Sequence, residues 1–322
     1  MTEETAPEQD QSTAPPAAEE ALSPGRKFRQ MTILAALGVL LALLLYYPVG
    51  AWRVHVIDDD MEFSPAVQSD QSVAVAVAAG LLHREVDVHG WIANKPFFLP
   101  AAVLDDMPNY QKGMVATIAN FAILMDETIG RPGESNDFDL SHAAALLQYP
   151  PNVWIIDPSR PWASINSSDK QYRNGGWYLE AYNKRLGLGG GMFATDPQTL
   201  AQAARKISAD LAASAATLSH YGKSKDGWQA DSVFWQAKGH AYADYLLLRA
   251  LGADWAETLK THGLAGNWQE MLEELEPAAR SHPWIVMHGS DDSLLFPNHL
   301  ANEGLHLLLV RDRLDALAES LR

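Results

Sequence analysis

TDPQTLAQAARKISADLAASAATLSHY, residues 195–221, decides the fold class. Leu200, Ala204, Ile207, Leu211, Ala215 and Leu218 recur at spacings of three and four, which draws one apolar stripe along a helix. Thr195 or Asp196 supplies a cap, and Pro197 suits the first turn. Working outward, Met114, Ile118, Phe121 and Met125 repeat the spacing, and their helix is expected to end near Gly130, before Arg131-Pro132-Gly133. Further helices are predicted at 66–83, 139–148, 170–187, 230–251, 254–262, 267–281 and 298–321. No fixed-period repeat is visible, so a solenoid is not supported. The expectation is an all-α fold.

Two stretches depart from helical spacing. In HREVDVHGW, Val86 and Val88 alternate with Glu85, Asp87 and His89, the period of a half-buried strand, though too short to imply a sheet. In QYPPNVWIIDPSRPWASINSSDK (148–170) four prolines interleave with Val153, Trp154, Ile155, Ile156 and Trp162. An irregular segment this long inside a domain points to function or to a wrong assignment. A packed loop crossing the helical body is expected, with a boundary between two helical lobes as the alternative.

The N-terminal side sets the topology. Residues 1–25 are rich in Glu, Pro, Ala, Thr and Ser, carry no basic residue, and read as a disordered tail. RKFRQMTILAALGVLLALLLYYPVGAWR (26–53) follows, with 23 uncharged residues between Arg29 and Arg53. As a helix these span about 34 Å, enough for a hydrocarbon core of about 30 Å. Arg26, Lys27 and Arg29 precede the span and Asp58, Asp59 and Asp60 follow it, an asymmetry that places the N-terminus in the cytoplasm. Tyr46, Tyr47 and Trp52 suit the outer interfacial belt. A cleaved signal peptide ending at Val49-Gly50-Ala51 is the competing reading, opposed by the long acidic leader and the length of the apolar run. The expected organisation is a cytoplasmic tail at 1–29, an inner-membrane helix at 30–52 and a periplasmic helical domain at 53–322.

The whole chain carries a formal charge of −16, and removing the six acidic and three basic residues of the first 29 leaves about −13 for the remainder. Such acidity argues against nucleic acid and anionic lipid as partners. Cysteine is absent, so the fold stands on packing without covalent staples.

Short motifs invite chemistry. AYNKRLGLGGG (181–191) matches part of the cleft element of lytic transglycosylases, and Glu134-Ser135 lies upstream. That chemistry needs a general acid on a cleft wall, with Glu134 or Glu180 as candidates. Glu134 lies among Pro and Gly, and Lys184 follows where Ala-Gly is required. The simpler reading is a helix stopped at Gly187, with Gly189, Gly190 and Gly191 forming the turn. A dinucleotide fingerprint fails because Met192 replaces the last glycine and no strand precedes it. His83, Glu85, Asp87 and His89 share one face if HREVDVH is a strand, where Asp87 and His89 can chelate a metal given a third ligand. His288, Ser290, Asp291 and His299 suggest a hydrolase, but no G-x-S-x-G elbow occurs. Ser167-Ser168-Asp169-Lys170 matches S-x-x-K without companion motifs. No catalytic set, metal site or cofactor is assigned. Most of the ten Trp residues are expected in the core, with a glycan-stacking surface near Trp154, Trp162 and Trp177 as the alternative.

GWIANKPFFLPAAVLDDMPNYQKG (90–113), FDLSHAAALLQYPPNVWI (138–155), YNKRL (182–186) and HLANEG (299–304) together resemble a Gram-negative bacterial family known only as a domain of unknown function. The resemblance implies a single N-terminal membrane helix and a mostly helical envelope domain, and it supplies no catalytic residues. These readings converge on a membrane-anchored binding or scaffolding module of the cell envelope, with an envelope protein or peptidoglycan as partner. A peptidoglycan-cleaving enzyme and a small-molecule or lipid carrier are the alternatives. The residues expected to line the partner surface are Trp154, Asp157, Arg160, Trp162, Tyr178, Tyr182 and Asn183.

Overall fold

The computed structural model describes residues 24–130, 136–156, 159, 162–222, 227–283 and 298–321. Among the described residues ten α-helices run in order: α1 Pro24–Val54, α2 Val73–His83, α3 Asp106–Leu124, α4 Phe138–Leu147, α5 Ser168–Leu186, α6 Pro197–Gly222, α7 Gly227–Asp254, α8 Ala256–Thr261, α9 Ala265–Arg280 and α10 His299–Ser320. No strand occurs among the described residues, so the fold is all-α. The predicted acidic tail lies outside the described residues up to residue 23.

The chain divides into two compact units, Met1–Tyr46 and Tyr47–Arg322. The described part of the first is the start of α1, most of whose large apolar side chains are exposed. Among the described residues α1 alone is long and apolar enough to cross a membrane, by the same test that a signal sequence passes.

The second unit is built around α7, which packs against α2, α3, α6, α9 and α10. Ala241, Tyr242 and Ala243 are buried in succession, as are Leu246, Leu247 and Leu248. A helix buried on every side has no single apolar stripe. Helices α3 and α7 touch through backbone at Gly113 and Gly239. A Cβ on Gly113 would lie 2.0 Å from the Gln236 carbonyl oxygen, and one on Gly239 would lie 2.1 Å from that of Tyr110. Only glycine permits this approach. Helix α6 turns the predicted stripe inward, with Leu200, Ala204, Leu211, Ala215 and Leu218 buried, mainly against α10.

Two expectations are corrected. The helix predicted from residue 66 begins at Val73, because Asp70 takes a left-handed conformation (φ 69°) and Ser72 caps the amide of Val75. Asp254, at the end of α7, strengthens that start by accepting from Ser72 Oγ (2.7 Å), Val73 N (2.8 Å) and Ala74 N (3.1 Å). The strand predicted in HREVDVH is instead a π-helical turn, Arg84–Val88, continuing α2. Its side chains pair one turn apart: His83 Nδ1 bonds Asp87 at 3.0 Å, and His89 Nδ1 lies 3.4 Å from Glu85. Burial of Arg84, Glu85 and Val86 against the body holds this wider turn. A second π-helical turn, Met125–Ile129, ends at Gly130, where the α3 pattern was expected to stop. The glycine turn after α5 also forms as read, with Gly189 at φ 75° and the Gly190 amide donating to the Arg185 carbonyl at 2.8 Å.

Candidate functional site

The stretch after α4 is pinned at both ends. Ser168 Oγ accepts from Val153 N (2.9 Å), and Ser168 N donates to Val153 O (3.0 Å), so 154–167 leaves and returns at one place. The base is held by Trp91 Nε1 on Pro151 O (2.9 Å), Asn94 Nδ2 on Val153 O (3.0 Å) and Tyr172 Oη on Tyr149 O (2.7 Å). Thus the first two blocks that carry the family resemblance meet in space. Beyond the base, described residues of the loop are open to solvent: Ile155 and Ile156 are exposed, and Trp162 is 94% exposed.

The residues predicted to line one partner surface separate into different roles. Trp154 packs edge-on to Phe98, with ring centroids 5.7 Å apart. Tyr178 packs on Phe138 and His142 from the side of α5. Tyr182 and Asn183 are buried and present no surface. The Tyr182 hydroxyl donates to the Met192 carbonyl. Asn183 accepts from Ser72 N at 2.8 Å and donates to Ser72 O at 2.9 Å. The AYN element therefore fastens α5 to the start of α2 and to the glycine turn. Asp157, Arg160, Glu134, His288, Ser290 and Asp291 lie outside the described residues. His299 opens α10. Ser167, the serine of the S-x-x-K match, bonds the Asp169 carboxylate, while Lys170 reaches Asn166 at 3.3 Å. Asp87 is shared between His83 and Arg173, and no group of three ligands that could hold a metal occurs among the described residues. Glu180 is half-exposed, 3.9 Å from Lys184, and is the only carboxylate lining its shallow surface hollow. The paired-carboxylate mechanism requires a second one.

A site not anticipated from the sequence lies between α3, α6 and α7. Two adjoining hollows of about 310 and 230 Å³ share Asn120 and Asp210 in their walls. Phe121, Leu124, Ile207, Leu247, Leu248 and Leu251 make the larger one apolar. Thr117, Asn120, Lys206, Asp210 and Asp244 bring polar atoms to it, and His240 lines the smaller one. Burial pushes the Asp244 carboxyl up to about 8, and the charge of Asp210 adds to the shift. Asp210 is raised by burial as well, against hydrogen bonding from Asn120 and the pull of Lys206. Burial lowers His240 to about 4, so its imidazole is neutral, with Nδ1 3.0 Å from Thr117 Oγ1. At neutral pH the cleft thus presents a protonated carboxyl and a neutral imidazole beside an apolar wall. It can hold an apolar body with a hydrogen-bonding head. The sequence signal was Asp244 itself, a carboxylate inside AYADYLLL (241–248), where no other charge occurs.

A second polar system serves the fold. The segment after α1 is strapped down through its backbone: Arg84 and Tyr110 each donate to Asp58 O at 2.9 Å, and Tyr242 donates to Asp60 O at 2.8 Å. Arg249 donates to the carbonyls of Met61 and Phe63. Lys238, fully buried, bonds Asp59 at 2.5 Å. Burial lowers the Lys238 ammonium, with Asp59 opposing the shift. Glu303 is buried beside this system with both carboxyl oxygens unpartnered among the described residues, and burial raises it well above the usual carboxylate range. The three aspartates read as a negative membrane flank are therefore built into the body.

Neither a curated protein nor a solved structure matches this chain significantly. A family model, DUF2333, described as an uncharacterized protein conserved in bacteria, matches residues 30–194, just over half of the chain. The match takes in α1 to α5 and so the α3 wall of the cleft, while α6, α7 and the HLANEG stretch lie beyond it. On this match the chain belongs to the DUF2333 family of bacterial proteins.

Proposed function

We propose that the protein is a membrane-anchored binding module of the bacterial cell envelope, and that its ligand is a small amphiphile seated between α3, α6 and α7. The observation that carries this reading is the cleft. Its combined size, apolar walls and few convergent polar groups match the general character of ligand sites. A protonated Asp244 donates a hydrogen bond to a polar head, and a cationic head would draw off its proton and pair with the carboxylate. Anchoring by α1, with the N-terminus cytoplasmic and the helical body periplasmic, is supported by Arg26, Lys27 and Arg29 before the apolar run.

The test is extraction of full-length protein, isolated in polymer nanodiscs, and mass spectrometry of the small molecules released. Ile207→Trp places an indole in the larger hollow. A compound recovered from wild type and lost from a folded Ile207→Trp variant supports the proposal. Equal recovery from both proteins removes the cleft as the ligand seat.

A further inference from the structure

The last turns of α1 and the body share one compact unit from Tyr47 onward, and they meet at a particular loop. Tyr47 Oη donates to Phe97 O at 3.1 Å. The Gly50 backbone lies against the Pro100 ring, so close that a Cβ there would stand 2.4 Å from Pro100 Cβ. Below them Val54, Ile57 and Leu104 pack on Ile92, Ala101 and Met107 in a small separate core. The loop from Phe97 to Val103 therefore runs beside the final two turns of the apolar helix. Arg53, the first charge after the apolar run, lies six positions beyond Tyr47. At about 1.5 Å per residue that is about 9 Å, so Phe97 sits at the depth of a bilayer's interfacial belt.

The side chains at this level are apolar and open. Phe97 is 82% exposed, Val103 is 58% exposed, and Phe98 is half-covered by its contacts with Phe97 and Trp154. Through Trp154 the patch continues to Ile155 and Ile156, exposed at the start of the loop pinned by Ser168. Left in water, large exposed apolar side chains gathered in this way are unfavourable. Aromatic residues are favoured at the membrane interface, where a ring meets lipid and its surroundings remain wet. Net acidity of the body opposes attraction to anionic headgroups, so insertion of apolar side chains must carry any contact with lipid.

We infer that Phe97, Phe98, Val103, Ile155 and Ile156 dock the helical body on the bilayer interface at the C-terminal end of α1. Trp154, one of the residues expected at a partner surface, borders this patch through Phe98. The docking rests on α1 crossing the bilayer, as the proposed function does. A docked body cannot swing freely on its anchor, and its cleft is then held at a fixed height above the membrane.

The chain has no cysteine, so single labels can be placed at will. Val103→Cys and Ile155→Cys mark the patch, Leu40→Cys marks the apolar run, and Glu257→Cys marks an exposed position on α8. Each full-length variant carries a bimane label in phosphatidylcholine nanodiscs, and is quenched by iodide from water or by a nitroxide on the lipid headgroup. Docking predicts headgroup quenching at 103 and 155 severalfold above that at 257, with position 40 shielded from iodide. Position 40 shielded while 103 and 155 quench like 257 overturns docking and leaves the anchor standing. Labels at 103 and 155 shielded from iodide but silent to the nitroxide would mean that protein covers the patch, which also overturns it. Iodide access at position 40 would remove the spanning helix, and docking with it.

Discussion

Asp244→Asn gives the cleft a quantitative test. The wild-type carboxyl is raised from 3.8 to about 8 in the folded chain, so the folded state holds this proton more tightly than the unfolded state does. Stability from this group is greatest below about pH 4 and is lost progressively as pH rises to about 8. About four pH units at about 1.4 kcal/mol each set a ceiling on the order of 5 kcal/mol. Asp244 is partly open to the cleft, so solvent screening brings the working figure to about 2–3 kcal/mol. Asparagine keeps the shape and hydrogen-bonding capacity of the protonated acid and never ionises. The melting temperatures of wild type and variant should coincide near pH 4 and diverge with pH. By pH 8.5 Asp244→Asn should melt about 6 °C higher. Asp210 and Lys206 on α6, Asn120 and Thr117 on α3, and His240 on α7 face the same space. Asp210 titrates in both proteins, and an Asp210→Asn background isolates the Asp244 contribution. The assay is thermal unfolding of full-length protein across pH 4–9. A difference that is constant with pH, or that shrinks as pH rises, would refute an enclosed carboxyl in the cleft.

Three further outcomes follow from the packing. Gly239→Ala forces the α3–α7 contact apart, since its Cβ would meet Tyr110 O at 2.1 Å, and should cost about 3 kcal/mol in chemical denaturation despite alanine's better helix propensity. Asp254→Ala strands the donors of Ser72, Val73 and Ala74, with an expected loss of about 2–3 kcal/mol; full stability in this variant would show that the cap is dispensable. Glu303→Met replaces an unpartnered buried carboxyl, so its stability relative to wild type should improve as pH rises from acid to neutral, read by melting temperature.

What could be read in advance follows from how locally each feature is encoded. The α6 stripe needs only its own residues, and Leu200, Ala204, Leu211, Ala215 and Leu218 are buried as their spacing requires. The start of α2 depends on Asp254, far along the chain, and on a left-handed Asp70, neither visible in the run of Val and Ala. HREVDVH carried two signals of opposite meaning. Its valine alternation suggested a strand, while the pairs His83/Asp87 and Glu85/His89 marked a helical turn, and burial of Arg84 favoured the latter. Tyr182 and Asn183 resembled surface groups because their partners, Met192 O and Ser72, are backbone or remote. The cleft was least legible. Asn120, Asp210 and Asp244 lie on three helices, and only packing brings them together.

The central claim is that the cleft between α3, α6 and α7 holds a ligand in the native membrane. Native mass spectrometry of full-length protein, released from polymer nanodiscs drawn directly from its own membranes, tests it most directly. The account predicts one discrete small-molecule adduct per chain, retained under gentle activation and absent from Ile207→Trp. A bare chain mass in wild type, or the same adduct on both proteins, would contradict it.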